Sequence, residues 1–124
     1  MNARLRFTVP GPPVPNERAR KGRGSRTGKE HWYTPARTAA YRRHVAMHGL
    51  AARPADWDQH AQYRVYIEAW MPAHQGDWDN VGKGICDALN EVLWADDQRI
   101  ADGHVVLHRK AADPRIEVLI EVIT

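Results

Sequence analysis

At 124 residues, 43% of them hydrophobic and 27% charged, the chain is long enough for one globular domain and too short for two independent cores. Its single cysteine, Cys86, rules out an internal disulfide and a thiolate zinc site. No apolar run reaches the roughly 20 residues of a membrane span or the pattern of a signal peptide, so the sequence predicts a cytoplasmic protein with no membrane partner.

Charge is divided along the chain. Residues 1–53 carry twelve Lys or Arg against two acids, whereas residues 54–124 carry six against thirteen. The basic half implies a polyanionic partner, because neutralising phosphates releases their counterions and dominates nucleic-acid affinity.

In chain order, Leu5 to Val9 alternates apolar and polar side chains with the period of a half-buried strand, and Pro10-Gly11-Pro12-Pro13 stops it. Residues 10–33 read as a basic, Pro- and Gly-rich loop. Between Val14 and Lys29 almost no large apolar side chain is present to drive burial, while Arg18, Arg20, Lys21, Arg23, Arg26 and Lys29 supply positive charge for DNA phosphates. A merely solvated loop fits the same composition. Thr34-Pro35 predicts a capped helix start and Gly49 its end, with Arg37, Arg42 and Arg43 on the outward side adding to the basic surface. A connector around Pro54 follows. Tyr63, Val65, Ile67, Ala69 and Met71 then share one face of a strand, with Arg64, Tyr66, Glu68 and Trp70 on the other.

A second helix is predicted to start at Asp77. Val81, Ile85, Ala88, Leu89 and Val92 cluster on one side of it, and Asp79, Lys83 and Asp87 on another. Gly82 and Gly84 each cost about 1 kcal/mol relative to Ala inside a helix, which suggests a close backbone approach. Arg99 to Lys110 is strand-like, Asp113-Pro114 offers turn chemistry, and Ile116, Val118, Ile120 and Val122 alternate with Glu117 and Glu121, so the last quarter reads as a hairpin. The fold class is α+β: one domain over residues 1–124, with a mixed sheet of about four strands flanked by two main helices. His104 and His108 share a strand face and are read as serving no metal. Trp78 and Trp94 flank the acids and are candidates for stacking on exposed bases.

Six acids and one base, Lys83, lie between His74 and Gln98. If the Asp96-Asp97 loop folds back on the helix start, several carboxylates converge and repel, and something positive should sit among them. Oxygen ligands without His or Cys favour a hard cation, and Mg²⁺ commonly takes one or two carboxylates together with water and substrate phosphate. Lys83 could then hold a phosphate, with Asp87 either its positioning partner or a solvated neighbour one helix turn on. Equally, Asp-x-Asp is common at capped helix starts and Asp-Asp in turns.

The string Asp77-x-Asp79-Asn80-x-x-Lys83-x-x-x-Asp87-Ala88-Leu89, followed by Trp94-x-Asp96-Asp97, resembles the signature of the RusA-type Holliday junction resolvases, small homodimeric endonucleases often carried by prophages. Pro12-Pro13 and Asn16 after the first strand also fit. The resemblance implies cleavage of branched, four-way DNA by paired symmetric nicks during recombination and repair, dependent on Mg²⁺ with Mn²⁺ as a substitute. It also implies Asp77, Asp79 and Asp97 as catalytic metal ligands and Lys83 beside the scissile phosphate, with Asn80, Asp87 and Asp96 in supporting positions. Two rivals remain: a non-catalytic basic DNA-binding module whose acids are structural, and a metal-using glycosyltransferase, for which 124 residues leave little room.

Overall fold

The computed structural model describes residues 3–16, 20–23, 30–33, 35–74 and 76–123. Strand β1 (Arg4–Pro10) is followed by a two-stranded ribbon of β2 (Arg20–Arg23) and β3 (Glu30–Tyr33), helix α1 (Ala36–Ala52) and strand β4 (Tyr63–Trp70). Helix α2 (Trp78–Ala88), a short 3-10 turn (Asp97–Arg99), β5 (Ile100–His108) and β6 (Arg115–Val122) complete the chain. The four long strands form one mixed sheet in the order β1-β6-β4-β5, with only β4 and β5 parallel.

Alternation sets the buried face. Phe7, Val118, Ile67 and Val105 stand opposite one another across all four strands. The first three are buried, and Val105, on the edge strand, is partly so. Val45 of α1, Val81 and Ile85 of α2, and Leu89, Leu93 and Trp94 from the following loop close the core over this face. Each such side chain contributes about 1.5–3 kcal/mol through area removed from water. The opposite face carries no helix among the described residues. Arg64 donates to Asp102 there at 2.7 Å and holds that carboxyl below its ordinary range. His104 stacks on Tyr66, His108 stacks on Trp70, and the Arg115 guanidinium lies 3.8 Å from the centre of the Trp70 ring.

Three expectations need correction. The last quarter is not a hairpin, because β4 lies between β5 and β6. The Met71 N–H donates to His108 O and the Ala111 N–H to Met71 O, both at 2.8 Å, so the chain wraps around the end of β4 before returning as β6. β6 is among the most deeply buried strands, and a central place gives its Ile116, Val118 and Ile120 neighbours on both sides. Second, the basic loop contains paired backbone: Arg20 is opposite Tyr33 and Arg23 opposite Glu30. The β-favouring His31-Trp32-Tyr33 run supplies one strand of that ribbon.

Third, α1 does not end at Gly49 but continues to Ala52, and its N-cap position is held by Pro35 without a side-chain cap. Thr34 lies outside the described residues. Gly49 serves packing: a Cβ there would come within 2.7 Å of Leu89 Cδ2. Past α1, Arg53 donates to Val92 O, Trp57 to Leu93 O and the Ala95 N–H to Gln59 O, which fastens the loop after α2 to the connector before β4.

The expected close approach at Gly82 is present, with a Cβ there falling 2.7 Å from Val105 Cγ2. Val105 is stiff about χ1, so Gly82→Ala should destabilise by about 1 kcal/mol net, an overpacking cost of about 1–3 kcal/mol set against a helix-propensity gain of up to about 1 kcal/mol. Urea denaturation checks this, and a rise in the midpoint would contradict the packing argument.

Candidate active site

The loop leaving β4 reaches α2 through Gly76, whose φ of +71° suits glycine. A side chain there would also meet Pro15 at 3.0 Å. The Pro-rich segment after β1 therefore runs alongside the start of α2. Asp77 takes the N-cap position in an extended conformation, and its Oδ1 accepts from the Asn80 N–H at 3.2 Å. Asp79 Oδ1 accepts from the same N–H at 2.9 Å. One amide thus gathers two exposed carboxylates at the positive end of a helix dipole. Trp78, between them, is 63% exposed.

Lys83 follows one turn later. Its Nζ is 3.7 Å from Asp87 Oδ1, and its side chain is 65% exposed while that of Asp87 is only 23% exposed. The other Asp87 oxygen lies 3.9 Å from Arg42 Nη2, which reaches across from α1 and also donates to Asn16 Oδ1. Gly84 makes room for that residue, since a Cβ there would lie 2.8 Å from Asn16 Cβ.

Asp96 caps the 3-10 turn, its Oδ1 accepting from the Gln98 N–H at 2.8 Å. Asp97, half-buried, lies on the α2 side. Its charge helps raise the Cys86 thiol to about 12, an effect due first to burial, then to Asp87 and Asp97, with Lys83 opposing. Asp97 thus lies within electrostatic reach of Cys86 on α2, while Asp77 and Asp79 stand at the helix start. Among the described residues, no three His, Cys, Asp or Glu side chains are grouped to hold one ion. The structure brings Asp77 and Asp79 together on one amide and sets Lys83 between them and Asp87 along α2.

The two exposed carboxylates still fit a hard cation, because Mg²⁺ is commonly bound by one or two carboxylates and completes its shell with water and phosphate. The donor set contains oxygen alone.

The other candidates divide clearly. Trp94 is fully buried, with Nε1 donating to Asn90 Oδ1 at 3.0 Å, so it is a core anchor and cannot offer its ring to a base. Trp78 can. Arg37 and Arg43 are exposed on α1. Arg18, Arg26 and Lys29 lie outside the described residues, and of Arg20, Lys21 and Arg23 only the backbone pairing is described. Sequence reasoning missed the contact of Arg42 with Asn16 and Asp87, for which the only local signal is the helix-interior Gly84.

The family model described as "Endodeoxyribonuclease RusA" matches residues 10–121. An uncharacterized protein, YqaN, of Bacillus subtilis (strain 168) is 28% identical over 142 aligned residues that cover 97% of each chain. The family match takes in the Pro-rich segment, both helices and all four of Asp77, Asp79, Lys83 and Asp97. The chain belongs to the RusA family of endodeoxyribonucleases.

Proposed function

We propose that this nuclease is a Holliday junction resolvase that acts as a homodimer and cuts four-way DNA by paired symmetric nicks in the presence of Mg²⁺, with Mn²⁺ as a substitute. The observation that carries this reading is the gathering of Asp77 and Asp79 on one amide at the exposed start of α2, one turn from Lys83, in a chain of this family. A junction offers two equivalent strands, and a two-fold dimer presents two equivalent sites to them.

Asp77 and Asp79 would hold the ion, with Asp97 as a further carboxylate for the site. The ion would supply an acidified water and charge stabilisation at the phosphate. The remaining work falls to the protein's own groups. Lys83 Nζ, exposed and on the same side of α2 as Asp79, binds a phosphate oxygen as a compact point charge. The Asn80 N–H orients both acidic side chains. Asp87, Asp96 and Asn80 support the site through the contacts described above, rather than by touching substrate.

Arg37, Arg43 and the basic segment from Arg18 to Lys29 neutralise phosphates away from the cut, which places the DNA without reading its bases. A second reading draws on the bond from the Asn80 N–H to Asp77: the acids are structural caps, and the protein binds DNA without cutting it.

Incubating a synthetic four-way junction with the protein, with Mg²⁺ or with chelator, separates these readings. Symmetric nicks only in the presence of metal are expected, and binding with no cleavage under any metal condition would favour the capping reading. Asp79→Asn should lower the cutting rate by about 100-fold or more. It should leave junction affinity intact or improved, because a charge that repels phosphate is removed. Weaker binding with unchanged cutting would contradict the assignment. Lys83→Ala should slow cleavage by about 10–100-fold, judging from the loss of one charge-stabilising contact. Normal turnover by that variant would remove Lys83 from the reaction.

A further inference from the structure

Arg42 holds a place that an outward, DNA-facing arginine would not. It leaves α1 to reach α2, where Nη2 donates to Asn16 Oδ1 and lies 3.9 Å from Asp87 Oδ2. Its Nε is buried and makes no hydrogen bond among the described residues, a cost that a side chain free to extend into solvent would not bear. Asp87 is then shared between two cations, with Oδ2 toward Arg42 and Oδ1 toward Lys83 at 3.7 Å. Asn16, the third member, can stand there only because Gly84 has no Cβ.

We propose that Arg42 is a positioning residue for Lys83: by engaging one oxygen of Asp87 and Oδ1 of Asn16, it keeps Asp87 from binding Lys83 alone, so that the Lys83 ammonium is oriented yet free to meet the scissile phosphate. This deepens the resolvase reading and rests on it. Two cations on one carboxylate weaken each other's hold, since each sees the charge of the other as well as that of the acid. Lys83 is the exposed one and the one able to leave. With Arg42 gone, the half-buried Asp87 would have Lys83 as its sole partner and would hold the ammonium back. Asn16 adds a second link: it immediately precedes the basic segment in sequence, so the same guanidinium joins that segment's root to the helix of the site.

The test is a double-mutant cycle on Arg42→Gln and Asp87→Asn, read in two ways. In the first, cleavage rates are measured at saturating junction with Mg²⁺, alongside junction affinity in chelator. Arg42→Gln should lower the saturated rate by about 10-fold while changing affinity by less than about 2-fold. Adding Asp87→Asn should restore the rate to within about 3-fold of the parent, because the retaining charge is gone. Arg42→Lys, which keeps the charge on a shorter side chain that ends in a compact ammonium instead of a planar guanidinium, should fall in between.

The second readout needs neither metal nor cutting: the side-chain 13Cε signal of Lys83 should move in Arg42→Gln and return in the double variant. Melting curves identify any variant that fails to fold, and Arg42→Lys keeps the comparison open in that case. A loss of affinity and of one unit of salt dependence in Arg42→Gln, with no rescue by Asp87→Asn, would make Arg42 a direct phosphate contact and overturn the proposal. An unmoved Lys83 signal would also overturn it. Failure of the parent protein to cut any junction would count against the resolvase reading, and the Lys83 signal would still decide the positioning role.

Discussion

Two parallel neighbours in a sheet cannot be joined by a tight turn, and this constraint shapes the molecule. β4 and β5 run side by side in the same direction, so the chain must leave one end of β4 and travel back before β5 can begin. Helix α2 is that return path. The residues able to do chemistry therefore sit on an obligatory connection, braced by the sheet along one side, and not on a free loop. The cost of such a path is close packing. Gly82 lets the helix approach Val105 of β5, and Gly84 lets it lie beneath Asn16.

The bracing extends beyond the helix. Arg53, Trp57 and Gln59 bind the backbone of residues 92–95, so the loop that delivers Asp96 and Asp97 to the 3-10 turn is tied to the connector before β4. Trp57 stacks on Tyr63 with the ring centres 5.7 Å apart, and Tyr63 meets Trp94 at the same separation. An aromatic run thus passes from the connector, through the first residue of β4, to the loop beyond α2. Each acid is held from a different direction: Asp77 and Asp79 by an amide of the helix, Asp87 by two cations, and Asp96 by its own turn.

Much of this was legible in the residue order, because periodicity is a local property. The alternation in Leu5 to Val9, in Tyr63 to Met71 and in Ile116 to Val122 marks three sheet strands, and the apolar side of α2 is visible in Val81, Ile85 and Ala88. Which strands become neighbours is a different matter. An alternating pair joined by Asp113-Pro114 has the same pattern whether the partners touch or straddle a third strand, and only the bonds around Met71 distinguish the two. Gly49 misleads for a related reason, since a glycine that ends a helix and one that admits Leu89 look alike in sequence. The motif acids stand close together in the sequence, where the family signature marks them. Asn16 and Arg42 are 26 residues apart, and Arg42 and Asp87 farther still, so no spacing rule connects them.

Cys86 has a practical consequence. As the sole thiol of the chain it lies half-buried on α2, pushed up to about 12 chiefly by desolvation and further by two neighbouring carboxylates. A group held in its neutral form at ordinary pH reacts sluggishly with maleimides and iodoacetamides. The native chain thus provides a quiet background for a fluorophore or spin label attached to a cysteine introduced on the open face of the sheet.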